Sequence, residues 1–308
     1  MEYVLKTNSL SKHYRNFKAL DKLTMSVPKG AIYGFVGRNG AGKTTLIRLI
    51  CGLQFPTDGS FEIYGAPNTS GDILKARRRM GAVVETPSVY LDMTAEENLK
   101  QQYRILGLPD FKGIPDILEL VGLHNTGKKK AKNFSLGMRQ RLGIAVALCG
   151  SPDFLVLDEP INGLDPQGII EIRELILKLN REEQITVLIS SHILDELSKL
   201  ATHYGFIDKG VLVKEMSAEE LNDTCRKCVT LTVSDTGAAT KALEKMGFND
   251  NPSYKIYQDN RIDVYAQPNI TELVHMLDSE GCELLTVREH DETLEGFFIS
   301  LVGGGSHD

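Results

Sequence analysis

The chain lacks an apolar stretch long enough to cross a membrane. A membrane helix needs roughly 18 consecutive apolar residues, and no such run occurs among the 308 residues. The opening residues, Met-Glu-Tyr-Val-Leu-Lys, also lack the pattern of a secretory signal peptide. We therefore expect any membrane-embedded component to be supplied by another polypeptide.

Cysteine and positive charge are also in short supply. The five cysteines are an odd number without a signal peptide, which predicts reduced thiols. Cys225 and Cys228 form a lone C-x-x-C pair with no convincingly spaced further ligands, so neither zinc nor redox chemistry is expected there. The net charge of −6 argues against a general nucleic-acid binder. The basic runs at 77–79 and 128–130 are interpreted as solvated faces, with lipid headgroups or acidic loops of a membrane subunit as the alternative.

A glycine-rich motif lies between a predicted buried strand, 31–36, and a predicted helix. Segment 37–45 matches G-x-x-x-x-G-K-[ST], and the apolar residues after it fall on one helical face: Leu46, Leu49, Ile50 and Leu53. Such a turn aims backbone N–H groups and the positive end of a helix dipole at one point, where a phosphate binds. Lys43 is expected at the β- and γ-phosphates and Thr44 at Mg²⁺. The predicted nucleotide-binding residues of this loop are Gly37, Asn39, Gly40, Ala41, Gly42, Lys43, Thr44 and Thr45.

Two acidic residues end a second apolar strand. Asp158 and Glu159 follow the apolar run 154–157. Because uncompensated charge is costly in a buried strand, we expect Asp158 to lie at Mg²⁺. Successive strand residues point to opposite sides. Glu159 is therefore predicted to face a water molecule beside the γ-phosphate and to act as the general base.

A third motif lies between the first two. Segment 133–142, Asn-Phe-Ser-Leu-Gly-Met-Arg-Gln-Arg-Leu, precedes a helix-like run at 143–148. It resembles the signature sequence of ATP-binding-cassette (ABC) proteins. Ser135 and Gly137 match the two signature positions that grip the γ-phosphate in that family. Leu136 and Met138 depart from the usual glycine and glutamine, which bears on fine geometry rather than on the family.

Further positions follow the order of the same family. Asp165, within 162–166, resembles the D-loop aspartate, and His192, after a β-rich run at 184–191, resembles the switch histidine. Tyr14 lies where the family places an aromatic residue that stacks on adenine; the alternative is an exposed edge-strand tyrosine. The resemblance covers about residues 1–216. It implies an α/β phosphate-loop domain with a helical subdomain that binds and hydrolyses ATP with Mg²⁺.

Glu85 occupies a slot in which the family usually carries glutamine. It ends the segment 80–85, which follows the arginine-rich run. The family glutamine contacts Mg²⁺ or the attacking water, so the resemblance makes Glu85 a candidate catalytic residue and metal ligand. Its negative charge is expected to alter metal affinity. The E-x-P version, with an S-L-G-M signature, is similar to ABC subunits for bacitracin resistance and lantibiotic immunity.

The resemblance also implies partners. Two cassettes pair head to tail in this family, so that ATP is clamped between Lys43 of one copy and Ser135 of the other. Hydrolysis then drives a separate transmembrane permease at the cytoplasmic face of the membrane, and no nucleic acid is expected. One alternative is a soluble ABC ATPase acting on nucleic acid or ribosomes, against which the lack of heptads between Lys43 and Ser135 argues. The other is a non-hydrolysing ATP sensor, against which the presence of Glu159 and His192 argues.

The composition changes after residue 216. We predict a linker at 217–225 that begins with a short helix, an accessory domain at 226–302 and a flexible tail at 303–308. The predicted order β-α-β-β-α-β, with a hairpin about Asp259-Asn260, is typical of a ferredoxin-like α+β unit. A last helix over 293–301 is expected to pack its apolar stripe on the domain core. No catalytic constellation is found in this part of the sequence.

Overall fold

The computed structural model describes residues 2–225, 228–248, 253–265, 268–290 and 294–303. The chain divides into two units. The first is Met1–Ala218 together with the chain from Leu301, and the second is Glu219–Ser300. The division falls inside the predicted linker, where the structure has helix α8 (Ala218–Thr224).

The first unit combines two sheets with helices. Its strands are β1 (Tyr3–Tyr14), β2 (Phe17–Leu23), β3 (Ser26–Pro28), β4 (Ile32–Gly37), β5 (Asp58–Ile63), β6 (Ala66–Pro67), β7 (Met80–Val83), β8 (Phe154–Asp158), β9 (Thr186–Ser191), β10 (His203–Asp208) and β11 (Val211–Ser217). Its helices are α1 (Lys43–Ile50), α2 (Ile73–Arg77), α3 (Ala95–Leu106), α4 (Ile114–Leu120), α5 (Leu136–Leu148), α6 (Pro166–Arg181) and α7 (Leu194–Leu197).

The central sheet places the predicted motifs at one edge. Its strand order is β11-β10-β4-β9-β8-β7, parallel from β10 to β7 and antiparallel only between β10 and β11. Strands β4, β8 and β9 are buried along their whole length, as in parallel sheets covered on both faces. Because parallel strands end at the same edge, the loops after these three strands meet there.

Helix α1 is shorter than its apolar pattern predicts. Leu46, Leu49 and Ile50 are buried as expected. Leu53, however, lies beyond the end of the helix with 64% of its surface exposed, so its predicted place on the buried face is wrong. The cause is Gly52, whose φ of +79° ends the helix in a left-handed turn.

A second sheet and a helical layer complete the first unit. The sheet has the order β2-β1-β5-β6, with β3 also paired to β1, and all its pairs are antiparallel. The helical layer contains α3, α4 and α5. Helix α3 begins with a capping box in which Thr94 and Glu97 bond each other's backbone N–H groups. The hydrogen bond from the Thr94 N–H lowers the pKa of Glu97.

The two basic runs behave differently. Residues 128–130 are exposed, as predicted for a solvated face. In the run 77–79, the prediction is wrong for Arg77, which donates to the carbonyls of Leu49 and Ile50 at the end of α1. Arg79 is exposed as predicted, and its guanidinium also pairs with Asp153. These guanidiniums supply donors to backbone and carboxylate oxygens that would otherwise lack them.

The second unit has the ferredoxin-like arrangement. After α8 come β12 (Cys228–Val233), α9 (Thr236–Lys245), β13 (Tyr254–Ile256), β14 (Arg261–Val264), α10 (Ile270–Ser279), β15 (Leu284–His290) and α11 (Leu294–Gly303). The end of α11, from Leu301, is assigned to the first unit. The antiparallel sheet has the order β13-β14-β12-β15. Apolar residues of the sheet, α9 and α10 form one core.

Parts of the C-terminal predictions lie outside the described residues. Thr293, the predicted start of the last helix, is one of them, as is the tail from 304 onward. Of the predicted apolar stripe on α11, Phe297 is buried. Within the described residues, no helix combines the length and apolar character needed to cross a membrane.

Candidate functional site

The phosphate loop joins β4 to α1 and depends on its glycines. Gly40 and Gly42 have φ values of +81° and +112°, a backbone region that side chains disfavour. A Cβ atom on Gly42 would also lie 2.5 Å from the carbonyl oxygen of Ala19. Gly42 therefore has to be glycine for the chain to turn into α1 at this point.

The N-terminus of α1 is equipped for an anion. Gly42 precedes the helix and offers no side-chain cap, so the first N–H groups of α1 keep their donor capacity. Thr44 and Thr45 lie in this first turn, and within the loop Ala41 is buried and Asn39 is exposed. The loop thus has the donors and the open side that a phosphate chain requires.

Lys43 folds back over this loop. Its Nζ donates to the carbonyl oxygen of Gly37 at 2.6 Å and to that of Arg38 at 3.3 Å. The side chain is only 6% exposed. The ammonium is therefore held beside the glycine turn, where Coulomb attraction for a phosphate is only weakly screened.

Asp158 is buried with both carboxylate oxygens hydrogen-bonded. Thr44 donates its hydroxyl to Oδ2 at 2.8 Å, and Ser190 donates its hydroxyl to Oδ1 at 2.6 Å. Asp158 itself is 1% exposed. These bonds compensate the buried charge and bring α1, β8 and β9 together. Sequence reasoning missed Ser190, although a Ser-Ser pair ending an apolar strand was a visible signal.

The neighbouring oxygens of Thr44 and Asp158 fit Mg²⁺. This small, hard ion usually takes one or two carboxylates, and substrate phosphates and water complete its shell. Among the described residues there is no cluster of three or more His, Cys, Asp or Glu side chains suited to a metal. These few donors therefore suit an ion that takes some of its ligands from the protein and the rest from a bound nucleotide and water. They do not suit a metal bound by protein side chains alone.

Glu159 connects three parts of the site. Its Oε1 lies 3.1 Å from Lys43 Nζ, and its Oε2 lies 2.8 Å from His192 Nδ1. The backbone N–H of Glu159 donates to the carbonyl oxygen and the hydroxyl of Ser190. The structure thus brings together three residues that lie far apart in the sequence.

The direction of Glu159 has a different cause from the one predicted. Strand β8 ends at Asp158, and Glu159 adopts a left-handed backbone with φ +50°. Strand alternation therefore does not orient its side chain. A non-glycine residue in this region stores about 1–3 kcal/mol of strain, a feature that concentrates at functional sites.

Glu85 has a partner that the sequence did not indicate. Its backbone is also left-handed, with φ +61°. Its carboxylate pairs with the guanidinium of Arg48 on α1. In the described part of the chain this ion pair is the side-chain contact that Glu85 makes, and Thr44 and Asp158 bond each other without it. Arg48 is thus a second residue that sequence reasoning missed.

The remaining predicted residues lie at helix ends and at a hairpin. Ser135 caps α5 by accepting the N–H of Met138, with Gly137 in the first turn. Asp165 caps α6 by accepting the N–H of Gly168. Tyr14 ends β1 half-exposed, and its hydroxyl contacts the side chain of Gln54. None of these side chains is hydrogen-bonded to the phosphate loop in the residues that the structure describes.

Known proteins resemble this chain in sequence and in fold. The family model described as ABC transporter matches residues 20–162. The bacitracin transport ATP-binding protein BcrA of Bacillus licheniformis is 42% identical, covering 99% of each chain. The lantibiotic transport ATP-binding protein SrtF of Streptococcus pyogenes is 42% identical over 69% of this chain and 90% of its own.

A solved structure agrees with these relatives. It is cbiO1 from Clostridium perfringens, part of the ABC transporter complex cbiONQ, with a TM-score of 0.65 and 25% identity. The match covers 72% of this chain and 92% of cbiO1. The phosphate loop, the acidic strand end and the signature helix agree with the same assignment. The chain therefore belongs to the ABC transporter family, as an ATP-binding subunit that hydrolyses ATP.

Proposed function

We propose that the chain powers a membrane transporter that removes a peptide antibiotic, with Mg²⁺ at its site and a second copy of itself as partner. The observation that carries this proposal is the likeness to BcrA over the full length of both chains. This likeness favours transport over a soluble ATPase acting on nucleic acid or ribosomes. The contacts of Glu159 with Lys43 and His192 favour hydrolysis over ATP sensing.

The residues divide the chemistry between binding and proton transfer. Lys43 and the N–H groups of α1 bind the phosphates of ATP. Thr44 and Asp158 would hold Mg²⁺, which, when bound, neutralises charge on the β- and γ-phosphates. Because Lys43 is nearly buried, its charge is pre-oriented and costs little reorganisation when the phosphates arrive.

Glu159 is the proposed general base. A water molecule attacks the γ-phosphorus as the bond between the β- and γ-phosphates breaks, and the carboxylate of Glu159 takes the proton of that water. His192, hydrogen-bonded to Oε2, orients the carboxylate. The left-handed backbone of Glu159 fixes the direction in which the side chain leaves the strand.

A second copy supplies the other side of the nucleotide. Ser135 and Gly137 begin α5, whose N-terminus is a separate donor site from that of α1. We propose that Ser135 and Gly137 of one copy face the γ-phosphate bound by Lys43 of the other. Asp165, at the exposed start of α6, lies near this junction, and Tyr14 stacks on the adenine ring.

A groove between the central sheet and the helical layer fits a permease. Its volume is about 650 Å³, and its lining includes apolar Leu74, Ile105 and Leu106 beside the cationic Arg78. Ile105 is 63% exposed, a large apolar side chain to leave in water. We propose that a cytoplasmic helix of the permease, with apolar side chains and an acidic one opposite Arg78, docks here. With this partner, the proposed location of the chain is the cytoplasmic face of the membrane.

Resistance in living cells tests the substrate and the partner. Co-expression with a permease that co-purifies with the chain is expected to raise the bacitracin concentration that a sensitive strain survives. Glu159→Gln should remove that protection, because transport needs hydrolysis. Ile105→Glu should also remove it and reduce co-purification with the permease, while hydrolysis by the isolated subunit stays within about two-fold, since the groove lies outside the catalytic residues.

Controls separate the parts of this proposal. Val211→Glu introduces the same charge at an exposed apolar residue of β11 and should leave protection intact. Protection against a lantibiotic but not against bacitracin would identify the lantibiotic, rather than bacitracin, as the substrate. Protection against neither, with the complex assembled, contradicts the peptide-antibiotic proposal.

The second unit is proposed to be an accessory domain without chemistry. All the residues assigned to ATP lie before residue 218, and the second unit has its own core. A chain ending at Ala218, which keeps the first unit except for the part from Leu301, is therefore expected to fold and to bind ATP within about two-fold of the full chain. Equilibrium binding of a fluorescent ATP analogue measures this, with Lys43→Ala in the truncated chain as the negative control. A soluble truncation that fails to bind ATP would show that the second unit completes the site.

A further inference from the structure

The segment from residue 84 to 87 touches both helices that carry nucleotide motifs. Glu85 pairs with Arg48, which lies on α1 one turn beyond Thr44. Pro87 lies against α5 so closely that a Cβ on Gly143 would be 2.6 Å from the Pro87 Cβ. Helix α1 begins at Lys43 and α5 begins after Ser135, so one short segment connects the elements that present these two residues.

The attachment of this segment to α5 is rigid. In strand β7, which leads into it, a Cβ on Gly81 would lie 2.4 Å from the carbonyl oxygen of Ala147 on α5. Both close approaches exist because glycine has no side chain, and neither leaves room for sliding. On the other side, Val84 packs against the core that includes the apolar residues of α1. The polar link to α1 is the ion pair between Arg48 and Glu85, whose side chains are 37% and 52% exposed.

The backbone at Glu85 directs its carboxylate to α1. Its φ of +61° is uncommon for a residue with a side chain. Strand β7 has ended at Val83, so no sheet bond imposes this turn. A glutamine at this position would present no charge to Arg48, whereas glutamate gives the guanidinium a matching anion.

We propose that Arg48 is a positioning residue that couples the phosphate-binding helix to the signature helix. By holding Glu85, Arg48 sets the position of Pro87 and, through it, the position of α5 relative to α1. Ser135 therefore reaches the γ-phosphate of the partner copy in a geometry that the helix beneath the phosphate loop controls. This inference rests on the proposed roles of Lys43 and Ser135.

Hydrolysis and ATP binding respond differently if this is correct. In the full chain, Arg48→Ala is expected to lower kcat about 10-fold, because misplacing a group that completes the site costs rate. ATP affinity should stay within about two-fold, since Arg48 does not contact the phosphate loop. Arg48→Lys should recover most of the rate, because it restores a cation opposite Glu85. Lys29→Ala, which breaks the exposed pair with Glu2 in the same unit, is the matched control and should change neither quantity.

A double-mutant cycle decides whether the two residues act together. Arg48→Ala combined with Glu85→Gln should be no slower than the slower single variant, because each change breaks the same contact. If the rate loss of the double variant equals the product of the two single losses, the residues act independently and the inference is wrong. A shift in Mg²⁺ dependence with Glu85→Gln but not with Arg48→Ala would also overturn it, and would assign Glu85 to the metal.

The same measurements separate this inference from the proposed site. If Lys43→Ala leaves ATP affinity unchanged, the proposed phosphate site is wrong, and the proposed role of Arg48, which depends on that site, is wrong too. If Lys43→Ala weakens binding as expected while the cycle shows independent losses, only the role of Arg48 is wrong. Circular dichroism of each variant confirms that a lost rate is not a lost fold.

Discussion

Glu159→Gln is expected to keep ATP binding and to slow hydrolysis about 10²–10⁴-fold, the contribution of a typical general base. The substitution preserves shape but removes the oxygen that accepts the proton. The substitution also removes the negative charge that pairs with Lys43, so the Lys43 ammonium remains available to the phosphates. Phosphate release under saturating ATP and equilibrium ATP binding measure the two effects separately.

Lys43→Ala gives the opposite pattern and serves as the comparison. It removes a phosphate contact, so it should weaken ATP binding itself. Glu174→Gln, at an exposed acid on α6, makes the same chemical change away from the site and should leave both quantities unaltered. Near-normal hydrolysis by Glu159→Gln would show that another group takes the proton.

Ser135→Arg is expected to abolish the ATP-dependent dimer. In the Glu159→Gln background, uncleaved ATP should hold two copies together, and light scattering should report a doubled mass only with MgATP. A large cation in place of the Ser135 hydroxyl disrupts the surface that faces the partner's nucleotide. The cost of an interface residue at the centre of a buried contact reaches several kcal/mol, enough to dissociate the pair.

Two further variants isolate the cause. Ser135→Ala removes the cap of α5, which costs about 1 kcal/mol, but adds no bulk, so it should weaken the dimer without abolishing it. Asn125→Arg adds the same side chain at an exposed turn of the same unit and should leave the dimer intact. A dimer that forms without nucleotide and tolerates Ser135→Arg would contradict the head-to-tail arrangement.

Local patterns predicted most of the elements that carry the motifs. The glycine-rich turn, the acidic end of β8 and the strand before His192 follow from spacing and apolar runs. The order β-α-β-β-α-β also led to the ferredoxin-like unit, since few sheet orders satisfy that sequence of elements.

Contacts between distant residues could not be predicted in the same way. Ser190 reaches Asp158 only because β8 and β9 are neighbours in the sheet, and Arg48 reaches Glu85 because of a left-handed turn. Apolar periodicity placed Leu53 on a helix that Gly52 had already ended. Composition likewise marked Arg77 as a surface charge, although its side chain satisfies carbonyls at the end of α1.

The Ser190 hydroxyl links the two acidic residues Asp158 and Glu159 through hydrogen bonds. It donates to Asp158 and accepts the N–H of Glu159, so both acidic residues are held by hydrogen bonds to the same oxygen on β9. Any displacement of β9 therefore moves the proposed magnesium ligand Asp158 and the proposed general base Glu159 together. A substitution that shifts this strand is therefore expected to alter both proposed roles at the same time.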